Sequence, residues 1–294
     1  MPLPPYHERT GNAHEAQEAS VKISGKTKVI GLFGYPVEHS LSPCMHNAAF
    51  AYLNMDYCYV TFPVRPDLLA DAVQSIRALR LGGVNITIPH KEKVIPFLDG
   101  VSEEVSFIGA VNTVVNNNGF LRGYNTDGRG FMESLSEVGI RCEGRRVLII
   151  GAGGACRAVG YYLSQKVAHL RIFDIDEQRR EKVVKDLGSL HGNVTSLKKL
   201  DTLHDVDIVI NATPLGLKDT DPSPFNTDLL SEPMIVCDLI YRDTALLNAA
   251  SEKGCRVLNG LGMLLHQGVL AFEIWTGIRP PAEIMRKALQ TALP

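Results

Sequence analysis

The stretch VLIIGAGGACRA, residues 147–158, restricts the possible folds of this chain more than any other. Its four leading apolar residues read as a short buried strand, the glycines as a tight turn, and the remainder as the start of a helix. Gly151 and Gly153 let the turn close and bring backbone N–H groups close to an anionic group, which the helix N-terminus also faces. In a doubly wound α/β sheet that anion is the pyrophosphate of a dinucleotide. Position 156, where the usual pattern has Gly or Ala, is Cys156, a side chain of similar small size. The competing reading is a glycine-rich turn in an α/β domain that binds no nucleotide.

The next apolar run, HLRIFD, ends at Asp174, 23 residues beyond Gly151. An acid at the end of this strand hydrogen-bonds adenosine ribose hydroxyls and repels a 2′-phosphate, which favours NAD over NADP. The alternative is a surface acid at a strand end. Asp176 is a second acid nearby, and Arg179 and Arg180 are expected on the solvated face of the charged helix DEQRREKVVKDLG. DVDIVINATP, PMIVCDLIY and CRVLNG supply three further apolar runs.

An earlier series of the same kind starts at Lys28. KVIGLFG, DYCYVTFPV and GGVNITIP read as strands separated by the helices SPCMHNAAFAYLN and PDLLADAVQSIRALR. KEKVIPFLD begins another helical turn, GAVNTVVNNNGFLRGYNTD reads as a hairpin, and GMLLHQGVLAFEIWTG and PAEIMRKALQTA close the chain as two helices. The pattern changes near residues 127–144, which places a domain boundary there. The predicted class is α/β, with an N-terminal α/β domain followed by a Rossmann-type nucleotide-binding domain.

The 294 residues suffice for two domains with proper cores. A net charge of −2 without any Lys/Arg run gives no footprint for nucleic acid or an anionic membrane surface. No stretch approaches the roughly twenty apolar residues of a membrane span. The six cysteines lack CxxC spacing and read as reduced thiols, pointing to the cytoplasm. No HExxH pair or comparable cluster supports a metal site. The polar first 27 residues lack a signal-peptide pattern and read as a flexible tail.

The first half carries polar residues where a core needs none. In HSLSPCMHN, Ser40 and Ser42 flank Leu41 just before a proline. One hydroxyl suffices to cap a helix, so the simple reading (Ser42 as N-cap, Pro43 in the first helical position) leaves the other surplus. Two hydroxyls at a helix start also suit an anionic ligand. In NITIPHKE, Asn85 and Thr87 alternate with isoleucines and so face the same way from a strand, with Lys91 following at its carboxyl end. Asn112 interrupts an apolar run in GAVNT, and Asp127 in GYNTDG lies beside the domain boundary.

Eight motifs in order, HSLSPCMHN, GVNITIPHKE, GAVNT, GYNTDG, GAGGACRA, NATPLG, DLIY and NGLGMLLHQ, resemble the shikimate/quinate dehydrogenase family. The resemblance runs from Lys28 to the last helices. It implies an oxidoreductase that reversibly reduces 3-dehydroshikimate to shikimate with NAD(P)H, in the pathway to chorismate and aromatic amino acids. It implies that Lys91 and Asp127 form the catalytic pair and that Ser40 and Ser42 bind the substrate carboxylate, near Tyr241. By the same resemblance Asn85, Thr87, Asn112, Asp127 and Gln267 hold the ring hydroxyls, Gly151, Ala152, Gly153, Gly154 and Ala155 bind the pyrophosphate, and Leu239 and Gly260 line the nicotinamide pocket. The last helices would return to the first domain, dividing the chain into 28–127 plus 263–294 for substrate and 128–262 for nucleotide, as a monomer or homodimer.

The chemistry suits the residue types, since reducing a ketone needs hydride on carbon and a proton on the developing alkoxide. Lys91 can donate that proton and stabilise the oxyanion while Asp127 orients the ammonium. NADP(H) is the family default, but Asp174-Ile175-Asp176 stands where NADP-using relatives carry Asn-Arg-Thr, and Asp174 favours NAD(H). That resembles the quinate branch, whereas the Ser-Leu-Ser motif points to shikimate. Two alternatives remain open: a dehydrogenase acting mainly on quinate, and a non-catalytic nucleotide-binding regulator.

Overall fold

The computed structural model describes residues 23–293, so residues 1–22 of the expected tail lie outside it. Residues 24–27, the end of that expected tail, form a turn whose Ser24 and Thr27 hydroxyls both donate to the Asp56 carboxylate.

The first sheet contains β1 (Lys28–Gly34), β2 (Tyr57–Pro63), β3 (Gly83–Ile86), β4 (Gly100–Val101), β5 (Thr113–Asn117) and β6 (Phe120–Tyr124), in the spatial order β2-β1-β3-β5-β6-β4. β1 runs parallel to β2 and β3, while β5 is antiparallel to both β3 and β6. Helices α1 (Ser42–Tyr52) and α2 (Leu69–Ala78) make the first two crossovers, and α3 (Glu103–Ile108) follows β4. The second sheet contains β7 (Arg146–Ile150), β8 (His169–Phe173), β9 (Val194–Ser196), β10 (Ile208–Asn211), β11 (Ile235–Asp238) and β12 (Arg256–Leu258). All are parallel, in the order β12-β11-β10-β7-β8-β9, with the switch point between β7 and β10. This is the doubly wound dinucleotide-binding arrangement. Helix α5 (Gly154–Leu163) follows β7, α6 (Glu177–His191) follows β8, and α7 (Ala245–Glu252) links β11 to β12.

Helix α4 (Asp127–Glu137) joins the two sheets, and α8 (Leu261–Thr276) and α9 (Ala282–Ala292) end the described chain. Leu265, Phe272 and Trp275 of α8 and Met285 and Leu289 of α9 pack with Ile30, Phe50 and Tyr59, so the C-terminal helices complete the core of the first sheet. Full burial of each such large side chain contributes roughly 1.5–3 kcal/mol. A second core packs α5 against one face of β7 through Val147, Ile149, Val159 and Leu163.

Several elements depart from the sequence reading. Helices α3, α4 and α7 and the short strands β4 and β9 were not anticipated, and residues 91–94 are turns followed by a 3-10 segment rather than a helix. Ser42 does not cap α1: Leu41 is the N-cap and makes no side-chain bond, while Ser42 is the first helical residue. The Ser40 hydroxyl instead accepts the Ser42 N–H at 3.3 Å. Arg180 is buried, not solvated, and its guanidinium binds the Asp174 carbonyl, Ser196 and Glu181. All six cysteines are free thiols.

Candidate active site

The topology explains why distant residues meet. In parallel strands the chain leaves every strand at the same edge, so the segments after β1 (Ser40, Ser42) and β3 (Thr87, Lys91) emerge together. Because β5 runs the other way, its start lies at that same edge, and Asn85 sits in register with Thr113. Asp127 follows β6, whose end pairs Tyr124 with Thr113.

At this edge Lys91 Nζ lies 2.6 Å from Asp127 Oδ2. The lysine keeps about a third of its side-chain surface exposed (31%), whereas the aspartate side chain keeps only 10%. Such a pair can present its ammonium to a ligand while its carboxylate stays fixed from behind. Asp127 Oδ1 accepts Asn112 Nδ2 at 2.8 Å, and the Asp127 N–H donates to Asn125 Oδ1 at 3.0 Å. The Lys91 carbonyl accepts the Val111 N–H at 2.8 Å, which pins the lysine to the strand that carries Asn112.

The network continues inward. Asn112 Nδ2 also donates to Thr126 Oγ1 at 2.9 Å, and its Oδ1 accepts the Thr126 N–H at 2.9 Å and the Thr113 hydroxyl at 2.9 Å. Asn85 Nδ2 donates to the Asn112 carbonyl at 2.9 Å and to Thr113 Oγ1 at 3.1 Å. Both amide hydrogens of Asn85 and of Asn112 are thus engaged inside the protein, and Asn112 Oδ1 already accepts two bonds, so of the two only Asn85 can still offer a ligand its carbonyl oxygen. Ser42 is buried beside Tyr59, whereas Ser40 and Thr87 are half-buried at the mouth.

Two expected residues arrive from the second half. Gln267 on α8 is held against α4: a Cβ on Gly130 would stand 2.6 Å from the Gln267 backbone nitrogen, so only glycine permits this crossing. Gly130 lies one turn from Asp127 on α4, which sets Gln267 beside the ion pair's helix. Tyr241 is 37% exposed in the loop after β11 and joins none of the hydrogen bonds above.

The nucleotide half gathers its residues by the same rule. Gly151 adopts φ +98° directly after β7, in the left-handed region that favours glycine. A Cβ on Gly153 would meet nothing within 4 Å, because the turn borders a cavity of about 530 Å³. Glu92, Ala152, Gly153, Asp176, Arg179 and Lys182 are among its lining residues. Asp174 Oδ2 accepts the Ala152 N–H at 2.6 Å and Oδ1 accepts the Asp176 N–H at 2.8 Å, so the strand-end acid also braces the glycine turn. Leu239 and Gly260 are neighbours: a Cβ on Gly260 would fall 2.2 Å from the Leu239 carbonyl oxygen. Beneath them Asp238 accepts from Asn211, Thr244 and the Ile240 N–H, and burial pushes its carboxyl above the usual range. Arg157 of α5 donates to the Phe107 and Ile108 carbonyls at 2.8 and 2.6 Å, tying the glycine-turn helix to the end of α3. No group of three or more His, Cys, Asp or Glu among the described residues is placed to hold a metal ion.

Sequence reasoning passed over Thr113, Asn125 and Thr126, which orient the catalytic candidates. Their signal was present in the doublets that flank Asn112 and Asp127, in GAVNT and GYNTDG.

Comparison with known proteins agrees with this geometry. Residues 32–114 match the family "Shikimate dehydrogenase substrate binding domain", residues 134–216 match "Shikimate / quinate 5-dehydrogenase", and residues 260–290 match "Shikimate 5'-dehydrogenase C-terminal domain". A shikimate dehydrogenase (NADP(+)) of Desulforamulus reducens is 45% identical over 282 residues, covering 91% of this chain and 96% of that protein. The chain belongs to the shikimate dehydrogenase family. A solved shikimate dehydrogenase in complex with NADP+ superposes with a TM-score of 0.88 at 39% identity, covering 93% of this chain and 98% of the other. The Listeria monocytogenes shikimate 5-dehydrogenase, solved with shikimate and NAD, gives a TM-score of 0.84 at 38% identity, covering 91% and 98%. As a family of oxidoreductases, shikimate dehydrogenases require a proton-handling group and a dinucleotide site to meet at one cleft. Here the two strand edges bear Lys91–Asp127 and the Gly151–Ala155 turn. No helix among the described residues is long and apolar enough to cross a membrane.

Proposed function

We propose that this protein catalyses the reversible oxidation of shikimate to 3-dehydroshikimate, with Lys91 and Asp127 handling the proton. The observation that carries the reading is the 2.6 Å contact between Lys91 Nζ and Asp127 Oδ2, with the lysine partly exposed and the aspartate nearly buried. In the reductive direction the Lys91 ammonium donates a proton to the alkoxide forming at C3, leaving a neutral amine and a hydroxyl. In the oxidative direction the amine takes that proton back. Asp127, held by Asn112 and Asn125, keeps the lysine aimed at one point, and such a proton-transfer group typically contributes about 10²–10⁴-fold. Ser40 and Ser42 bind the carboxylate, Asn85, Thr87 and Gln267 hold ring hydroxyls, and Asn112 braces the pair. Tyr241 lies close to the carboxylate end.

The open glycine turn and its adjoining cavity suit a dinucleotide, which Gly151 to Ala155, Leu239 and Gly260 would hold. When bound, the nicotinamide supplies or accepts the hydride. Asp174 favours NAD(H): a carboxylate at the ribose end repels a 2′-phosphate, and Ile175 replaces the arginine that would neutralise one. We assign residues 28–127 plus 263–294 to the substrate domain and 128–262 to the nucleotide domain, and place the reaction in aromatic biosynthesis.

The test is a two-by-two assay of shikimate or quinate with NAD or NADP. The highest kcat/KM is expected for shikimate with NAD. Quinate with NAD as the best pair would assign the protein to quinate, and tight cofactor binding without turnover on either substrate would make it a regulator.

A further inference from the structure

Hydride and proton must reach one carbonyl group from opposite halves of this chain, since the glycine turn follows β7 and Lys91 follows β3. The distance between those halves therefore has to be fixed, because transfer needs near-contact geometry. Among the described residues, the only hydrogen bonds that join residues 28–125 to residues 139–260 come from Arg157. Its Nε donates to the Ile108 carbonyl at 2.6 Å and its Nη2 to the Phe107 carbonyl at 2.8 Å. Asp186 of α6 steadies the guanidinium from behind, accepting Nη1 at 2.6 Å. Apolar contacts surround this clamp: Ala158 packs on Ile108 and Ala110, and the Tyr161 and Phe107 rings lie 5.4 Å apart.

Each end of the clamp leads to one half of the site. Arg157 stands in the first turn of α5, and its own N–H donates to the Gly153 carbonyl at 3.1 Å. At the other end the chain turns at Gly109, whose φ of +72° favours glycine, and enters residues 110–112. The Ala110 carbonyl accepts Asn125 Nδ2 at 2.9 Å, and the Val111 N–H donates to the Lys91 carbonyl at 2.8 Å. Asn112 then holds Asp127. A Cβ on Gly154 would stand 3.9 Å from the Ala110 Cβ, so the glycine turn and this segment face each other directly.

We propose that Arg157 is a positioning residue for the reaction: its guanidinium fixes the separation between the Gly151–Ala155 turn, which seats the hydride carrier, and the Lys91–Asp127 pair, which handles the proton. The proposal rests on the reading of this protein as a shikimate dehydrogenase. Arg157 acts through the backbone of residues 107–112 and takes no part in proton transfer. Arginine suits the task because its planar fork reaches two successive carbonyls and a carboxylate at once, which the compact ammonium of a lysine cannot span.

The test is Arg157→Met, which keeps most of the aliphatic stem and removes the fork. In stopped-flow single turnovers at saturating shikimate and NAD, NADH formation should slow about tenfold. The shikimate KM and the Kd for NADH, read by fluorescence titration, should stay within about threefold. Arg157→Lys should turn over at a rate between those of Arg157→Met and the parent. A merely structural arginine predicts a lower Tm with normal single turnovers in the folded protein, and that result overturns the proposal. A weakened NADH Kd at a normal rate also overturns it, because Arg157 is then a cofactor contact. With an active parent these outcomes bear on Arg157 alone, whereas a parent that turns over no shikimate brings down the functional reading and the proposal with it. Should Arg157→Met not fold, Asp186→Asn loosens the guanidinium from the far side: a severalfold slower single turnover is expected, and a normal one overturns the proposal.

Discussion

Asn112 donates through Nδ2 to Asp127 Oδ1 at 2.8 Å, and this bond leaves Oδ2 alone to face the lysine. The carboxylate is thus oriented by a residue that is itself saturated, since Asn112 also binds Thr113 and Thr126. Asn112→Ala should therefore behave as a loss of aim rather than a loss of a ligand contact. We expect kcat to fall about tenfold with a smaller change in shikimate KM, read from steady-state kinetics. A large KM increase at unchanged kcat would instead make Asn112 a ground-state substrate contact.

Ser42→Ala removes a hydroxyl from the start of α1 without removing a helix cap, because Leu41 occupies the N-cap position. Its unfolding free energy should stay within about 0.5 kcal/mol of the parent, while the shikimate KM rises more than kcat falls. A loss of about 1 kcal/mol, the size expected for a lost cap, would restore the structural reading of the serine.

Asp174→Asn tests cofactor selection. The asparagine carbonyl oxygen can still accept the Ala152 N–H, so the glycine turn keeps its brace while the charge and the bond from the Asp176 N–H are removed. The NAD-over-NADP ratio of kcat/KM should shrink about tenfold, mainly through a lower KM for NADP. An unchanged ratio would mean that Arg179 and Lys182, which line the same cavity, set the preference instead.

Gly130→Ala places a methyl group 2.6 Å from the backbone nitrogen of Gln267, where neither helix can easily give way. Denaturant unfolding should show a loss of about 1–3 kcal/mol, and the shikimate KM should rise as α8 is pushed from α4. A neutral substitution would show that the crossing is looser than the packing indicates.

His46 gives a pH dependence of known sign. Burial lowers its pKa from 6.5 to about 3. Between those values the unfolded chain holds a proton that the folded protein does not, so stability falls as pH drops below 6.5 and continues to fall towards 3. The full slope for one proton is about 1.4 kcal/mol per pH unit. In urea unfolding at pH 7 and pH 5, His46→Leu should lose about 1–2 kcal/mol less stability on acidification than the parent. Equal losses would show that this histidine is protonated in the folded protein.

The second half of the fold was legible because its signals are local. VLII followed by glycines is a strand and a turn whatever lies elsewhere, and parallel strands buried on both faces read as apolar runs. Helix α4 was harder: Phe131 and Leu135 give a helical spacing, but two glycines in its first turn disguised it as a loop, and those glycines serve the crossings with α5 and α8. The site residues were legible as types through their family motifs. Their division of labour was not, because it depends on contacts across the sheet: Asn112 emerges as the brace of Asp127 only when its amide is seen engaged by Thr126 and Asp127. Arg180 read as solvated because its partners, Ser196 and the Asp174 carbonyl, lie on strands beyond its own helix.

The most direct measurement is the steady-state oxidation of shikimate by Lys91→Met beside the parent protein. Removing the ammonium 2.6 Å from Asp127 should lower kcat by about 10²–10⁴-fold while the shikimate KM stays within about twofold. Near-normal turnover in Lys91→Met would contradict the account, because no other residue here is assigned the proton.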